Sequence, residues 1–346
     1  MRALILGGHG GLEQLTVRSD LPVPQIVDPH SVRLRMEAVA LNRLDLFVMA
    51  GWPGLTLTPD WVPVADGTGI VDAVGDAVTR VRVGDTVIMN PGVSCRTCAF
   101  CLADQQPLCL KYQILGEHRT GAAAEYCVVP EWNLDAVDVS IPWEQRAAFG
   151  LATLTAYRML VGKAQLRAGE QVLIWGIGGG VALAALQLAK ARAAKVWVTS
   201  GDPGKLARAK ELGADELLNH ATDNVPAVIR AATGKRGVDV VIDSVGSATW
   251  TRSLGSLGRG GRLVTCGGTS GPMVETDVRR LFTNQWTISG STMGSESEWS
   301  AVAAEFRAGG LRPPVDSVFP LDQAREAYAR LQSGQQFGKV VIRIAP

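Results

Sequence analysis

The first third of the chain alternates short apolar runs with polar residues and turn signals, and this pattern predicts β-strands. Residues 31–41 (SVRLRMEAVAL) and 67–75 (GTGIVDAVG) approach the two-residue period of strands with one buried face. Gly, Asp and Pro separate such runs at short intervals. Residues 1 to about 130 are therefore expected to form a compact, largely antiparallel β domain of the partly closed barrel type.

The pattern changes near residue 145. Residues 144–162 carry apolar side chains at helical spacing, and wholly apolar runs then alternate with helical ones. The predicted strands are 171–176, 194–200, 238–246 and 261–268. The predicted helices are 181–192, between the first two strands, and 205–214, between the second and third. Continuous apolar strands alternating with helices are typical of a doubly wound parallel sheet.

The last part of the chain is predicted to be helical around residues 298–310 and 322–332 and to end in a strand, 339–345, that rejoins the first domain. The chain is therefore expected to be an α/β protein with three segments. They are a β domain at 1–151, a parallel-sheet domain at 152–290 and a C-terminal return at 291–346.

Composition narrows the class of protein without naming it. The 346 residues carry a formal net charge of +1 and no basic stripe, so charge gives no support to nucleic-acid or membrane-surface binding. No apolar run approaches the roughly 20 residues of a membrane-spanning helix, and the start of the chain lacks a signal-peptide layout. With cysteines clustered as described next, a reducing cytoplasmic location is expected.

Four of the six cysteines lie in one short stretch, Cys95, Cys98, Cys101 and Cys109, with the spacing C-x2-C-x2-C-x7-C. Four thiolates so close together can enclose one tetrahedral ion, and Zn²⁺ prefers such closed shells. A closed shell leaves no open position, so this ion would hold a loop, about 91–111, and take no part in chemistry. The alternatives are an iron–sulfur cluster and two disulfides.

A glycine-rich turn follows the predicted strand 171–176 and opens the next helix. Gly176, Gly179 and Ala182 form a G-x-x-G-x-x-A variant of the dinucleotide fingerprint, and Gly180 and Val181 begin the helix. Glycines let the backbone approach a pyrophosphate, and the helix N-terminus offers free N–H groups. The strand–turn–helix context favours dinucleotide binding over a merely flexible turn.

The end of the second strand of the parallel sheet indicates which dinucleotide binds. An NAD-binding protein usually has Asp or Glu there to hold the ribose 2′-hydroxyl, whereas this chain has Ser200, with Lys205 within reach. An acid at position 200 would repel a 2′-phosphate. Because serine stands there, NADP(H) is favoured over NAD(H). Asp202 is the argument for NAD(H), because its carboxylate could turn toward the ribose and act as the missing acid.

Together these parts resemble the medium-chain dehydrogenase/reductase superfamily over essentially the whole chain. The motifs that carry the resemblance are GTGIVDAVG, RVRVGDTVI, the four-cysteine loop, LTAY, GIGGGVA, KLARAKELGA and GGRLV. The resemblance implies a GroES-like β-barrel catalytic domain, a Rossmann domain and hydride transfer to or from a nicotinamide cofactor. It also implies a small-molecule substrate and a homodimer or homotetramer.

The chain departs from the zinc alcohol dehydrogenases of that superfamily at the catalytic metal. Their Cys, His and Cys ligands would fall at Asn42, Ala65 and Leu151, and their proton-relaying hydroxyl at Leu44. None of these is a normal zinc ligand or relay, although the Asn42 amide oxygen could bind weakly. Asp45 and Asp66 fall where acids beside the lost metal would be.

Further roles follow from the resemblance or from residue type. Arg43 would lie near the pyrophosphate, and Thr155 matches a threonine that touches the nicotinamide in relatives. Asn42 could donate a hydrogen bond to a substrate carbonyl or could simply cap a loop. His118 could be a proton donor or a surface residue, and Trp52 could line the substrate pocket or only pack.

The sequence therefore leaves three functions open. The leading one is NAD(P)H-dependent reduction of quinones or α,β-unsaturated carbonyls, with zinc in a structural site only. The second is a zinc-type alcohol dehydrogenase with a non-standard catalytic metal site. The third is a nucleotide-binding or redox-sensing protein without turnover.

Overall fold

The computed structural model describes residues 1–51 and 54–345. The chain divides into two compact units. The first unit is Met1–Ala152 together with Ser295–Pro346, and the second unit is Thr153–Gly294. The sequence analysis places the corresponding divisions at 151/152 and 290/291.

The first unit is built on an antiparallel sheet. Its strands, numbered in chain order, are β1 (Ala3–Leu6), β2 (Leu15–Arg18), β3 (Ser31–Ala40), β4 (Asp66–Val74), β5 (Thr86–Met89), β6 (Gly92–Val93), β7 (Gln113–Ile114), β8 (Tyr126–Pro130), β9 (Leu134–Ala136), β16 (Val315–Pro320) and β17 (Lys339–Arg343). The main sheet has the order β16-β17-β3-β4-β5-β9, and β8 also pairs with β3. All its pairings are antiparallel except β16 with β17.

Helices close the first unit around this sheet. They are α1 (Arg43–Ala50), α2 (Ala99–Leu102), α3 (Trp143–Tyr157, whose last residues belong to the second unit), α9 (Glu296–Arg307) and α10 (Ala324–Gln332). The core packs apolar residues of β1, β3, β4 and β17 against α1 and α10. The C-terminal strand β17 runs antiparallel to β3, with Ile342 opposite Val39, as the predicted C-terminal return requires.

The second unit is a parallel sheet with alternating helices. Its elements are β10 (Gln171–Ile174), α4 (Gly180–Ala191), β11 (Lys195–Ser200), α5 (Pro203–Glu211), β12 (Glu216–Asn219), α6 (Val225–Ala232), β13 (Val238–Asp243), α7 (Trp250–Ser256), β14 (Leu257–Thr265), α8 (Val278–Asn284) and β15 (Thr287–Gly290). All five pairings are parallel, in the order β12-β11-β10-β13-β14-β15. The strand order reverses between β10 and β13, which is the switch point where such sheets bind nucleotides.

The predicted α/β fold class is therefore confirmed. β10 and β13 are almost entirely buried, as expected of strands covered on both faces. α5 ends as the sequence indicated, because Gly213 takes a left-handed φ of +97° just past the helix.

Candidate functional site

The four clustered cysteines converge on one point. Their sulfur atoms all lie within 4.8 Å of one another. The sulfur–sulfur distances are 3.5 Å for Cys109–Cys95, 3.6 Å for Cys98–Cys101 and 3.9 Å for Cys95–Cys101. A tetrahedral zinc with bonds of about 2.3 Å would separate its sulfurs by about 3.8 Å. The donor set therefore fits a single ion of that size.

The local fold of the lobe explains this convergence. Cys98 precedes α2 and Cys101 lies within it, so one helical turn brings two thiols to the same side. The short β6–β7 pairing brackets the lobe and fixes where the loop leaves and rejoins the unit. All six cysteines are free thiols, so the alternative of two disulfides is not what the structure has.

Two thiols of the lobe differ in their acidity. Hydrogen bonds from the backbone and hydroxyl of Thr97 lower the pKa of Cys95 to about 5. Burial raises the pKa of Cys101 to about 11. A bound cation would favour the thiolate form of all four, because ligation requires deprotonation.

A different arrangement occupies the place where the catalytic zinc ligands would stand. Lys339 on β17 extends its ammonium to Asp66 Oδ2 at 2.9 Å and to Asn42 Oδ1 at 2.6 Å. The Asn42 amide donates to the same Asp66 oxygen at 2.8 Å and, more weakly, to Ala40 O at 3.4 Å. Asp66 Oδ1 accepts from the backbone N–H of Leu151 at 2.6 Å. We call Asn42, Asp66 and Lys339 the buried polar cluster.

The cluster is closed to solvent and largely self-satisfied. Asp66 is 0% exposed, Lys339 4% and Asn42 7%. Both carboxylate oxygens of Asp66 and the amide oxygen of Asn42 already accept hydrogen bonds. Within residues 1–51 and 54–345, the cysteine lobe is the only group of three or more His, Cys, Asp or Glu side chains placed to hold a metal.

Two backbone features place Asp66. Gly150 on α3 lies so close that a Cβ there would stand 2.3 Å from Asp66 Oδ1, so only glycine lets the helix approach and Leu151 donate. Val64, two residues before Asp66, has a φ of +76°, which is strained for a β-branched residue.

Asp45 lies beside the cluster and is also buried. Its carboxylate accepts from the backbone N–H of Asn42 at 2.6 Å, which caps the start of α1. Burial raises its pKa to about 7, against the lowering effects of that hydrogen bond and of the Lys339 charge. Asp45 therefore titrates near neutrality inside the first unit.

In the second unit, the glycine turn has the geometry of a phosphate-binding loop. Gly176 and Gly178 have φ values of +69° and +123°, and Gly179 is the N-cap of α4. An added Cβ at Gly176 or Gly179 would have no neighbour closer than 3.7 Å, so the space above the turn is open. Gly180 and Val181 follow as the first residues of α4, where N–H groups have no partner in the helix. The turn therefore fits a pyrophosphate.

The end of β11 carries no carboxylate directed to a ribose position. Ser200 is buried and its hydroxyl accepts from the backbone N–H of Asp202 at 3.0 Å. Asp202 instead caps α5, accepting from Gly204 N at 2.7 Å and Lys205 N at 3.3 Å. The cap uses Asp202 Oδ1 only, so Asp202 stays the alternative source of the missing acid.

His220 lies beside this strand end. Its Nδ1 lies 3.3 Å from Thr199 Oγ1, and its ring lies near Trp175, against which the Arg252 guanidinium also packs. Burial and the Arg252 charge lower the pKa of His220, so the neutral ring is favoured. Only the parallel pairing of β11 with β12 brings His220 here, and no local motif signals it.

The remaining predicted residues are placed as follows. Arg43 is exposed at the first position of α1, and Thr155 is buried in α3. His118 is partly exposed, and its Nδ1 accepts from Ile114 N at 3.3 Å, so Nε2 carries the proton of the neutral ring. His118 Nδ1 contacts Ile114 N at 3.3 Å and Glu117 Oε2 at 3.6 Å, and neither residue belongs to the buried polar cluster. Trp52 lies outside the described residues.

The fold and the glycine turn define a two-domain nucleotide-dependent dehydrogenase, and comparison with known proteins agrees. Residues 28–139 match the family model described as "Alcohol dehydrogenase GroES-like domain", and residues 180–308 match "Zinc-binding dehydrogenase". Quinone oxidoreductase of Lama guanicoe is 31% identical over 99% of this chain and 97% of its own length. A zinc-type alcohol dehydrogenase-like protein of Schizosaccharomyces pombe is 32% identical over 99% of both.

Solved structures give the same result. The crystal structure of an NAD-dependent alcohol dehydrogenase has a TM-score of 0.94 and 42% identity, with both chains covered completely. The chain therefore belongs to the medium-chain dehydrogenase/reductase superfamily, with a GroES-like unit and a Rossmann-like unit. It is an NAD(P)-dependent oxidoreductase. Within the described residues, no helix has the length and apolar character needed to cross a membrane.

Proposed function

We propose that this protein reduces quinones or α,β-unsaturated carbonyls with a reduced nicotinamide cofactor and holds one zinc ion in the cysteine lobe only. The observation that carries the proposal is the buried polar cluster. At Asn42, where the resemblance implies a zinc ligand, it has a lysine ammonium and oxygens that are already hydrogen-bonded. A metal there would have to displace Lys339 and would find no sulfur or imidazole ligand at Asn42, Ala65 or Leu151.

The choice of substrate class follows from what this site lacks. Oxidation of a simple alcohol needs a Lewis acid or a relay to remove the hydroxyl proton. A quinone or enone spreads the incoming negative charge over a conjugated system, so it needs less electrostatic help. The bound nicotinamide supplies the hydride, and the glycine turn with Gly176, Gly179, Gly180 and Val181 would hold its pyrophosphate.

Proton supply and orientation remain for this chain's own side chains. His118 is the candidate donor, because its imidazole is exposed and its protonated form can release a ring proton. Asn42 stays a candidate for contact with the substrate oxygen only if its amide turns away from Asp66, to which it now donates. Thr155 and Arg43 are the further proposed cofactor contacts.

The function is tested by assaying quinones, enones and simple alcohols on one preparation with each cofactor. We expect steady NADPH oxidation by at least one quinone or enone and little oxidation of ethanol or benzyl alcohol. Alcohol oxidation that vanishes on chelation, with two zinc ions per chain, would establish the alcohol dehydrogenase instead. Cofactor binding without turnover of any substrate would favour the non-catalytic nucleotide-binding protein.

The quinone oxidoreductase relatives support the first outcome, and the alcohol dehydrogenase relatives make the comparison necessary. One zinc per chain is the accompanying expectation, and its four thiolates suit a reducing cytoplasm.

We propose NADP(H) as the preferred cofactor because Ser200 replaces an acid and Asp202 caps a helix through its Oδ1. One similar solved structure is titled NAD-dependent, so the preference needs a direct test. Ser200→Asp should weaken NADPH binding at least tenfold relative to NADH, because the new carboxylate repels the 2′-phosphate. Ser333→Asp, an exposed change of the same charge, should leave the ratio of the two dissociation constants unchanged. A wild-type preference for NADH would contradict the assignment.

A homodimer or homotetramer is also proposed. Strand β15 lies at the edge of its sheet and includes no charged residue or proline to discourage pairing. The adjacent helix α8 has no buried residue and exposes Val278 and Phe282, 63% and 67%. A second copy could cover both features, and sedimentation or light scattering gives the oligomeric state.

A further inference from the structure

Asp104 in the cysteine lobe accepts hydrogen bonds from residues at the beginning of helix α9. Its carboxylate accepts from Ser295 Oγ at 2.9 Å, from Ser297 N at 3.2 Å and from the Ser297 hydroxyl. Burial opposes ionisation of Asp104, but the hydrogen bonds from Ser297 and Ser295 outweigh it and hold its pKa below the usual value. A carboxylate at this end of α9 also interacts favourably with the helix dipole.

Two more side chains of the lobe reach the same helix turn. Gln106 is 6% exposed, and its Oε1 accepts from the backbone N–H of Glu296 at 3.2 Å. Arg96 pairs with the Glu296 carboxylate at 2.7 Å. The contacts of Asp104, Gln106 and Arg96 with residues 295–297 are called the latch.

The latch residues lie between the cysteines in sequence, and two of them donate hydrogen bonds to Cys101. Asp104 donates its backbone N–H to Cys101 O at 3.1 Å, and the Gln106 amide donates to the same oxygen at 3.4 Å. Arg96 lies between Cys95 and Cys98. Arg96 and Asp104 both adopt left-handed φ values, +60° and +54°. Their positions therefore depend on the path of a loop that the four thiols draw together.

The lobe has little else to hold that path. Four of its large apolar side chains are exposed instead of packed, and they are Phe100, Leu102, Leu108 and Leu110. Its regular structure is one turn of α-helix, one 3-10 turn at Gln106–Leu108 and a two-residue strand pairing. A loop with so few packed side chains depends on its ligated metal for a fixed shape.

Beyond the latch, α9 packs on the helix that contacts the buried polar cluster. Phe149 of α3 lies 4.3 Å from Phe306 and 5.4 Å from Trp299, measured between ring centroids. Two residues further along α3, Leu151 N donates to Asp66. Helix α9 is thus attached to the lobe at its N-terminus and to α3 along its side.

We propose that metal in the cysteine lobe controls how firmly the N-terminus of α9 is docked, with Asp104 as the positioning residue that transmits the effect. The inference rests on the proposed lobe metal and goes beyond it, because a structural ion need not govern a helix almost two hundred residues away in sequence. When the metal leaves, the loop loses its shape, the latch opens and the first turn of α9 frays while the sheet stays folded.

Hydrogen exchange of the full chain under reducing conditions tests this, with zinc bound and after chelation. Amides of residues 297–303 should exchange about tenfold faster or more in the stripped protein, since charge-assisted hydrogen bonds are lost. Amides of β3 serve as the internal reference and should keep their protection.

Asp104→Ala separates the latch from the metal. The variant should retain one zinc yet show the fast α9 exchange of the stripped protein, and stripping it should add little more. Because coupling is reciprocal, the variant should also bind zinc more weakly by a similar factor. Ser297→Ala should give a smaller change in the same direction. Asp138→Ala, which alters an exposed acid that caps only its own turn, should leave α9 exchange unchanged.

The outcomes distinguish the two proposals. Zinc that binds and can be removed without any change in α9 exchange would overturn the latch and leave the structural zinc standing. Loss of protection in β3 together with α9 would show general unfolding and would also overturn the latch. A reduced protein that binds no zinc at all would refute the lobe metal itself.

Discussion

The cysteine lobe and the buried polar cluster lie in the same unit, and both stand where the resemblance places a zinc ion. In the lobe, four thiols face one another within 4.8 Å and have few other partners. In the cluster, Asp66, Asn42 and Lys339 satisfy one another and exclude water. The thiols of the lobe thus still need a cation, whereas in the cluster Lys339 supplies the positive charge.

The two regions also differ in how they contribute to the stability of the folded protein. The lobe gains stability only through an ion from outside the chain. The cluster buries a lysine and an aspartate whose desolvation is offset by close pairing and by the hydrogen bonds from Asn42 and Leu151. The predictions below ask whether each region depends on its own partner.

The largest effect is expected from removing one lobe ligand. Cys98→Ser should reduce bound zinc from about one per chain to a small fraction and lower the free energy of unfolding by several kcal/mol. Metal analysis and urea unfolding measure the two quantities. Cys127→Ala, a buried thiol of the same unit outside the lobe, should keep its zinc and lose only about 1 kcal/mol. Equal stability of Cys98→Ser and wild type would show that the lobe needs no ion.

Removing the internal cation should have the next largest effect. Lys339→Met leaves Asp66, which is 0% exposed, without its countercharge, so the free energy of unfolding should fall by about 3–5 kcal/mol. Adding Asp66→Asn to that variant should recover a large part of the loss, because no buried charge then remains unpaired.

The matched control for Lys339→Met is Lys195→Met. Lys195 pairs with Glu216 at the surface, where both side chains are about 40% exposed, so its loss should cost less than about 1 kcal/mol. If the two lysine variants are equally stable, or the double variant is the least stable of the set, the cluster is not an ion pair on which the unit depends.

A third test concerns the close approach that places Leu151 beside Asp66. Alanine normally stabilises a helix relative to glycine, but at Gly150 its Cβ would stand 2.3 Å from Asp66 Oδ1 and 3.0 Å from Met89 O. Gly150→Ala should therefore destabilise the protein by about 1–3 kcal/mol in thermal or urea unfolding. Gly290→Ala, where a Cβ would have no neighbour within 4 Å, should change stability little. A stabilised Gly150→Ala would mean that α3 can move away from Asp66 without cost.

These residues also mark how far the sequence could be read. The lobe was predictable because its ligands lie within fifteen residues and local spacing defines the site. The parallel sheet was predictable because its central strands are buried on both faces. The strands β12, β15 and β16 were not foreseen, and all three are edge strands whose partial exposure leaves no continuous apolar run.

The sequence indicates the buried polar cluster only indirectly, through the zinc ligands that are missing from it. The missing ligands at Asn42, Ala65 and Leu151 indicated that a metal was lost, but nothing local pointed to Lys339. That residue is 273 positions from Asp66 and meets it only because β17 pairs with β3 beside β4. The same limit applies to Val64, whose left-handed conformation no residue preference would suggest.

The last test concerns a pH dependence from Asp45. Burial raises its pKa to about 7, against the influence of the Asn42 N–H and of Lys339 and with that of Asp66. The unfolded chain releases this proton near pH 4, so between about pH 4 and 7 the native state binds the extra proton. Stability should therefore fall as the pH rises through that window, by at most about 1.4 kcal/mol per pH unit.

Asp45→Asn removes this titration while an amide oxygen can still accept from Asn42 N. The difference in free energy of unfolding, variant minus wild type, should rise from pH 4.5 to pH 7 and then level off. Taking the difference between the two proteins cancels the other titrating groups that they share. A difference that stays constant across the range would mean that Asp45 ionises inside the protein as readily as in water. The charge beside the cluster would then be fully compensated by Lys339, and the replaced metal site would carry no residual electrostatic cost.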